Sequence, residues 1–344
     1  MDSRSLSRRV VIEPGSISVR DMPRDERPPG WSRLQVLACG ICGTDQHLFH
    51  GMVLPPGVSY PVYPGHEVAA RVVESDPQTG PDPGSIVVLH PLLPCGTCSA
   101  CEAGADQLCR TAGMLGIHHK GGLADEMVWR SDRLVPVRNV DPVVAALLPD
   151  AVATAYHAIQ RAAMPKGGRL VVIGAGGVGT SILKIVRIID PTSEVVAVVR
   201  SEGTAARVRS LGLPVVQGLD GAARAVREHM GEADAVIEFS GVGAAASEGV
   251  RMLRRGGRLV LGAILDEEFA LTATYSALVT REVEIVGAYT STVSDLRKVV
   301  ELVERGRLSL DGMVSMIVRM ENVAEAFAIL QQRPAGTVRV VAQP

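Results

Sequence analysis

The sequence predicts an α/β protein in which one of two domains is a doubly wound parallel sheet. Three observations carry this. The chain has 344 residues, and single cores stop growing somewhere below about 300 residues. From Arg169 onward, short apolar runs of strand type alternate with segments of helical spacing. The first of those runs flows directly into three glycines at G-x-G-x-x-G spacing, with an apolar-rich helical segment behind them.

The elements follow in order. Leu170–Ile173 is an apolar run of buried-strand type that ends at Gly174. Gly174, Gly176 and Gly179, with Gly177 and Val178 between the last two, form the fingerprint. Thr180, Ser181, Lys184 and Arg187 are expected on one face of the next helix, with Ile182, Leu183, Ile185, Val186 and Ile189 opposite. A glycine triple alone is a weak signal. Between a strand and a helix it has the context its mechanism requires: a tight turn, close approach of a pyrophosphate, and a helix N-terminus facing the phosphates. Further strands are predicted at "EVVAVVR", "DAVIEFSG", "GRLVLGAI" and "EVEIVGA". Nearer the C-terminus, "VSDLRKVVELVERGRL" and "ENVAEAFAILQQ" have helical spacing, and "GTVRVVAQ" is a strand. "DMPRDERPPGW" and "ESDPQTGPDPGS" are turn-rich surface loops.

The end of the second strand selects the dinucleotide. An NAD site usually carries a carboxylate there to accept the ribose diol, about 20 residues beyond the fingerprint. That position is Val199, with Arg200 beside it, able to pair with a 2'-phosphate. This favours NADP over NAD.

Lys plus Arg number 35 against 37 for Asp plus Glu, a net charge of -2, which argues against nucleic acid or an anionic membrane as partner. The opening "MDSRSLSRRVVIEP" has no apolar segment of the secretory type. The apolar window "LVVIGAGGVGTSILKIVRII" is broken by Lys184 and Arg187 and fits a buried strand plus helix, so no membrane partner is expected. These features imply a reducing, cytoplasmic setting, where clustered cysteines are more often metal ligands than disulfides. Cys95, Cys98, Cys101 and Cys109 have the spacing Cys-x2-Cys-x2-Cys-x7-Cys. The first three are too close along the chain for relaxed disulfides with one another. They can wrap around one tetrahedral ion, with Gly96 and Gly104 supplying backbone freedom, and four thiolates select zinc. A closed shell of four sulfurs leaves no substrate position, so this zinc is structural. The competing reading is a set of buried free thiols.

The remaining two cysteines, Cys39 and Cys42, lie in "ACGICGTDQHLFHG", and "YPGHEVA" follows. With the four-cysteine segment and the glycine fingerprint, "GICGTDQH" and "PGHE" make the chain resemble the zinc-containing alcohol and polyol dehydrogenases of the medium-chain dehydrogenase/reductase superfamily, along essentially its whole length. The resemblance implies a GroES-like β-barrel catalytic domain split in sequence, 1–150 and 290–344, with the lobe at 95–109, around a Rossmann domain at 151–289. It implies that Cys42 and His66 are two ligands of a catalytic zinc, with Glu67 as the neighbouring carboxylate. Thr44 is the hydroxyl that takes the substrate proton, His47 passes it onward, and Asp45 orients the ligand histidine. The third ligand position, often Cys or Glu, falls on Asp150 in "AALLPDAVATAYHAI". Asp before a run of helix formers is also a favoured N-cap, so that role competes. A thiolate, a neutral imidazole and a carboxylate together cancel the charge of zinc. Thr154 matches a contact near the nicotinamide, against the alternative of a solvent-facing helix position. Ser240, Gly262 and Ala263 complete the expected cofactor contacts. Cys39 is expected as a packed core thiol and His50 as a surface or pocket-rim residue.

The resemblance thus implies an enzyme that interconverts a secondary alcohol and a ketone with zinc, two ions per chain, and NAD(P). A homo-oligomer, dimer or tetramer, is expected. The segment "MLGIHHKGGLADEM" resembles that of sugar and polyol dehydrogenases, and aromatic residues make up only 3% of the chain. Both point to a polyhydroxylated substrate: a sugar, sugar acid, cyclitol or aminocyclitol. His118 and His119 either line that pocket or belong to a surface loop. A dehydrogenase of simple secondary alcohols is the alternative enzyme, and a non-catalytic zinc-binding interaction protein the alternative of another class.

Overall fold

The computed structural model describes residues 6–264, 270–332 and 337–344; residues 1–5 of the opening segment lie outside the described residues. The chain divides into two compact units, Met1–Ala151 with Thr292–Gly306 and Leu310–Pro344, and Val152–Ser291 with Arg307–Ser309.

The first unit opens with a hairpin of β1 (Leu6–Glu13) and β2 (Ser16–Pro23). Asp21, Met22 and Pro23, expected in a surface loop, instead pair with β1, because the hairpin register carries them opposite Arg8, Ser7 and Leu6. β3 (Trp31–Ile41) leads into helix α1 (Gly43–Phe49). After these come β4 (Glu67–Glu74), β5 (Ile86–Leu89) and β6 (Leu92–Leu93). A lobe with the short helix α2 (Ser99–Glu102) precedes β7 (Gly113–Met114), β8 (Glu126–Arg130), β9 (Leu134–Pro136) and helix α3 (Pro142–Ala145).

The second unit begins with α4 (Ala153–Ala162), then β10 (Arg169–Ile173), α5 (Gly177–Ile189), β11 (Glu194–Val199) and α6 (Glu202–Ser210). It continues through β12 (Val215–Gln217), α7 (Ala222–Met230), β13 (Ala233–Glu238), α8 (Gly243–Met252), β14 (Leu253–Leu261), α9 (Tyr275–Arg281) and β15 (Glu284–Gly287). The strands form one parallel sheet in the order β12-β11-β10-β13-β14-β15. Strand order therefore reverses between β10 and β13, the switch point where a doubly wound sheet opens a crevice at its carboxyl edge. β12 was not expected from the sequence; it has only three residues, too few for a periodicity signal. Thr180 and Ser181 correct the expected polar face of α5: both are buried, satisfied by the carbonyls of Ala175 and Gly177 at 3.1 and 3.0 Å. Ile189, by contrast, is 40% exposed at the helix end.

The chain returns to the first unit through α10 (Val293–Glu304), β16 (Val314–Arg319), α11 (Val323–Gln332) and β17 (Arg339–Gln343). A sheet in the order β16-β17-β3-β4-β5-β9, with β8 also on β3, forms its frame. The core beneath it joins Leu34 and Val36 of β3, Val68 of β4, Trp129 of β8 and Phe327 of α11. β17 antiparallel to β3 brings Arg339, near the C-terminus, beside the end of β3.

Candidate active site

The end of β3 and the start of β4 lie side by side, with Gly40 opposite Glu67. Gly40 must lack a side chain there, because a Cβ would sit 2.0 Å from Glu67 Oε2. Beyond Ile41 the chain turns into α1 with Cys42 as its N-cap residue. Asp45, fully buried one turn later, reaches back: its Oδ2 accepts from Cys42 N–H at 2.8 Å and its Oδ1 from Gly65 N–H at 3.1 Å. The same Oδ1 lies 3.9 Å from His66 Nδ1. Asp45 therefore ties the two turns that present Cys42 and His66.

Asp150 arrives from a π-helical turn, Leu148–Val152. Its Oδ2 is 3.3 Å from Cys42 Sγ and 3.8 Å from His66 Nε2. It is not the N-cap of α4; Val152 holds that position, without a side-chain cap. One donor atom each from Cys42, His66, Glu67 and Asp150 lies within 4.8 Å of the others. Arg339 completes the group, its Nη2 2.6 Å from Glu67 Oε1 and 3.3 Å from Asp150 Oδ2. No motif marks Arg339 in the sequence; its one local signal is a cation inside an otherwise apolar closing strand.

The electrostatics reflect crowded anions. Burial pushes the Glu67 carboxyl well up, against the pull of Arg339, and Asp150 and Cys42 add to the rise. Burial works against the Arg339 charge, yet Glu67, Cys42, Asp150 and Asp45 more than offset it and raise its pKa. Burial would likewise neutralise His66, but hydrogen bonds to Asp150 and Cys42 hold its pKa well above the usual range. Asp150 lies below the carboxylate range because the hydrogen bond and charge of His66 outweigh its burial. A thiol, an imidazole and two carboxylates converging in a buried place form a donor set that fits a divalent cation such as zinc.

The four remaining cysteines also converge, with donor atoms within 4.8 Å of one another. Cys98 and Cys101 sulfurs are 3.5 Å apart and those of Cys95 and Cys101 3.9 Å, and all four thiols are free. Gly96 and Gly104 have φ of +79° and +72°, the left-handed conformation such a wrap demands. Donation from the Thr97 N–H and hydroxyl, above all, lowers the Cys95 thiol to about 5. This set also fits zinc, with every donor a sulfur.

Other expected residues take simpler places. Thr44 is half-buried and His47 exposed, three residues apart on α1. Thr154 is buried in the first turn of α4, not solvent-facing. Cys39 is a core thiol and His50 is exposed. His118 and His119 are exposed in a turn after β7. His118 Nδ1 accepts from Met114 N–H at 3.1 Å, and His119 stands edge-on to Trp129, 5.7 Å between ring centres.

In the second unit the fingerprint lies at the carboxyl edge of β10. Gly174 has φ +89°, and a Cβ there would meet Ser240 Cα and N at 2.7 Å. A Cβ on Gly179 would lie 1.9 Å from the Gly174 carbonyl oxygen, whereas Gly176 faces open space. Such a turn, tight on one side and open on the other, fits a dinucleotide pyrophosphate. Gly177 and Val178 open α5, and Ser240 follows β13. Gly262 and Ala263 follow β14. Val199 ends β11, and Arg200 beyond it is exposed.

Residues 28–139 match the family described as "Alcohol dehydrogenase GroES-like domain", and residues 177–305 match "Zinc-binding dehydrogenase". The chain belongs to the zinc-type alcohol and polyol dehydrogenases of the medium-chain dehydrogenase/reductase superfamily. Among similar members of that family is 2-dehydro-3-deoxy-L-galactonate 5-dehydrogenase of Pseudoalteromonas atlantica, 28% identical over 91% of this chain and 91% of that protein. L-Galactonate-5-dehydrogenase of Escherichia coli is 29% identical over 86% of each. A zinc-binding dehydrogenase from Sinorhizobium meliloti, solved with NADP bound, superposes with a TM-score of 0.88 at 26% identity, covering 99% of this chain and 100% of that one. This zinc-type dehydrogenase is therefore an NAD(P)-linked alcohol oxidoreductase that works with zinc, on a GroES-like plus Rossmann fold. No helix among the described residues is long and apolar enough to cross a membrane.

Proposed function

We propose that the chain reversibly oxidises a secondary alcohol of a polyhydroxylated substrate, a sugar acid or polyol, to a ketone, with NADP as hydride acceptor. The observation that carries this reading is the convergence of Cys42, His66, Glu67 and Asp150 within 4.8 Å. The activities named for the two galactonate-type relatives support the substrate class.

Cys42, His66 and Asp150 would hold the catalytic zinc, with Glu67 beside it, and Cys95, Cys98, Cys101 and Cys109 a second, structural ion. Zinc at the first position supplies Lewis acidity toward a substrate oxygen. Thr44 accepts the hydroxyl proton, and His47, exposed one turn along α1, hands it to solvent. Asp45, whose Oδ1 lies 3.9 Å from His66 Nδ1, would orient the His66 ring, since a carboxylate is a usual second partner of a ligating imidazole. In the second unit, Gly174, Gly176 and Gly179 shape the pyrophosphate turn, with Gly177 and Val178 at the helix start. Thr154, Ser240, Gly262 and Ala263 are the remaining cofactor contacts. Val199, with no carboxylate to meet a ribose diol, and Arg200, free to turn toward a 2'-phosphate, favour NADP. Two split segments, 1–150 and 290–344, carry the catalytic domain in this reading, and 151–289 the nucleotide domain. We place the enzyme in the cytoplasm, where its free thiols stay reduced. It would act as a homo-oligomer, dimer or tetramer, an association favoured by exposed Ile285 on the edge strand β15 and exposed Val279 on the preceding helix α9.

Metal analysis combined with NADPH and NADH titration and a substrate panel tests the proposal. Two zinc per chain, tighter NADPH binding, and turnover of aldonates or polyols above simple secondary alcohols are expected. One zinc or none, or turnover confined to simple alcohols, would defeat it.

A further inference from the structure

Three of the expected cofactor segments meet on residues 238–240, at the carboxyl edge of β13. Phe239 N–H donates to the Ile173 carbonyl at 2.9 Å, and Gly262 N–H to the Glu238 carbonyl at 3.1 Å. The Ser240 backbone occupies the space a Cβ on Gly174 would need, its Cα and N only 2.7 Å away. Among these segments lies a buried carboxylate, that of Glu238. Its Oε1 accepts from the Ser240 N–H at 2.5 Å and from the Ser240 hydroxyl. Burial pushes the Glu238 carboxyl up, while the Ser240 hydroxyl and the N–H groups of Ser240 and Gly241 pull it down. An anion here repels a pyrophosphate at the neighbouring Gly174 turn, so it is costly unless it does something a neutral side chain cannot. What a carboxylate adds is direction. Ionised, it only accepts, so it takes the single proton of the Ser240 hydroxyl and leaves that oxygen able only to accept in turn. Ser240 itself is exposed, within reach of a ligand.

We infer that Glu238 is a cofactor-positioning residue: it holds the Ser240 turn against Gly174 and turns the Ser240 hydroxyl into an acceptor for a hydrogen-bond donor of the dinucleotide. That donor is a group of the ADP-ribose part or the nicotinamide carboxamide. The inference rests on the dinucleotide reading of this unit but not on the preference for NADP, and it applies to NAD and NADP alike.

The test uses the purified full chain and its Glu238→Gln, Ser240→Ala and doubly substituted variants, with folding checked by thermal melting. Dissociation constants for NADH, NADPH and ADP-ribose are read by titration calorimetry. Each single substitution should weaken NADH and NADPH about tenfold, the scale of one hydrogen bond to a well-placed partner. The double variant should bind no worse than either single one, because both act through the same hydroxyl. An equal loss for ADP-ribose supports the inference with the donor on that part; a loss absent with ADP-ribose supports it with the carboxamide as donor. Wild-type affinity in Ser240→Ala overturns the inference, and this exposed site answers even where Glu238→Gln fails to fold. Wild-type affinity in a folded Glu238→Gln overturns it too, as does a double variant about a hundredfold weaker, which marks two independent structural effects. A wild-type chain that binds neither NADH nor NADPH overturns the dinucleotide reading itself, a result separable from all of these.

Discussion

Arg339 and Glu67 form a buried ion pair, Nη2 to Oε1 at 2.6 Å, that joins the closing strand to the cluster of Cys42, His66, Glu67 and Asp150. Removing one partner of such a pair leaves the other charge uncompensated, at a cost of about 3–5 kcal/mol. Arg339→Met should therefore lower the urea midpoint sharply and also reduce retained zinc, since Asp150 loses its 3.3 Å contact as well. Unchanged stability and metal content would show the pair to be incidental.

Gly40→Ala places a Cβ 2.0 Å from Glu67 Oε2, deep in the sheet. Overpacking of this kind costs about 1–3 kcal/mol. Because the clash is with Glu67 itself, zinc affinity should fall along with stability, measured by chelator competition and denaturant unfolding. A neutral result would mean that Glu67 can vacate its place freely.

Asp150→Ala should produce a folded chain with one zinc fewer and no measurable turnover. Partners one step removed from a metal cost 10–100-fold in affinity, and loss of a direct ligand should cost at least about a hundredfold. Circular dichroism and metal analysis on the same sample check both halves. Full activity with two ions would move the ligand role elsewhere.

Asp190, at the end of α5, gives a pH signature unrelated to metal. Donation from the Thr192 and Ser193 hydroxyls and Gly167 N–H, at 2.6, 2.7 and 2.7 Å, holds its carboxyl below the usual range. A depressed folded pKa contributes stability that is fully present above the unfolded value of about 3.9 and is lost as pH falls through the lower folded value. Wild type should thus be more stable than Asp190→Asn near neutrality, and the gap should close in strong acid. Denaturation midpoints across that range measure it; a gap constant with pH would refute the linkage.

Much of this molecule was readable from local pattern. Leu170–Ile173, the fingerprint glycines and the four-cysteine spacing each rest on neighbours close in sequence, so their strand, turn and loop appear where expected. Cys42 and His66 were legible because short motifs surround them. Tertiary structure alone decided the rest. Polar Thr180 and Ser181 are buried because their hydroxyls bond to backbone within their own turn, a satisfaction that a hydropathy pattern does not register. Asp150 could have been a cap or a ligand; the π turn removes it from the cap position and sets its Oδ2 3.3 Å from Cys42 Sγ, a proximity no local pattern reveals. Arg339 carried no motif, because a cation in a strand acquires its meaning from the anion that folding brings to it from far along the chain.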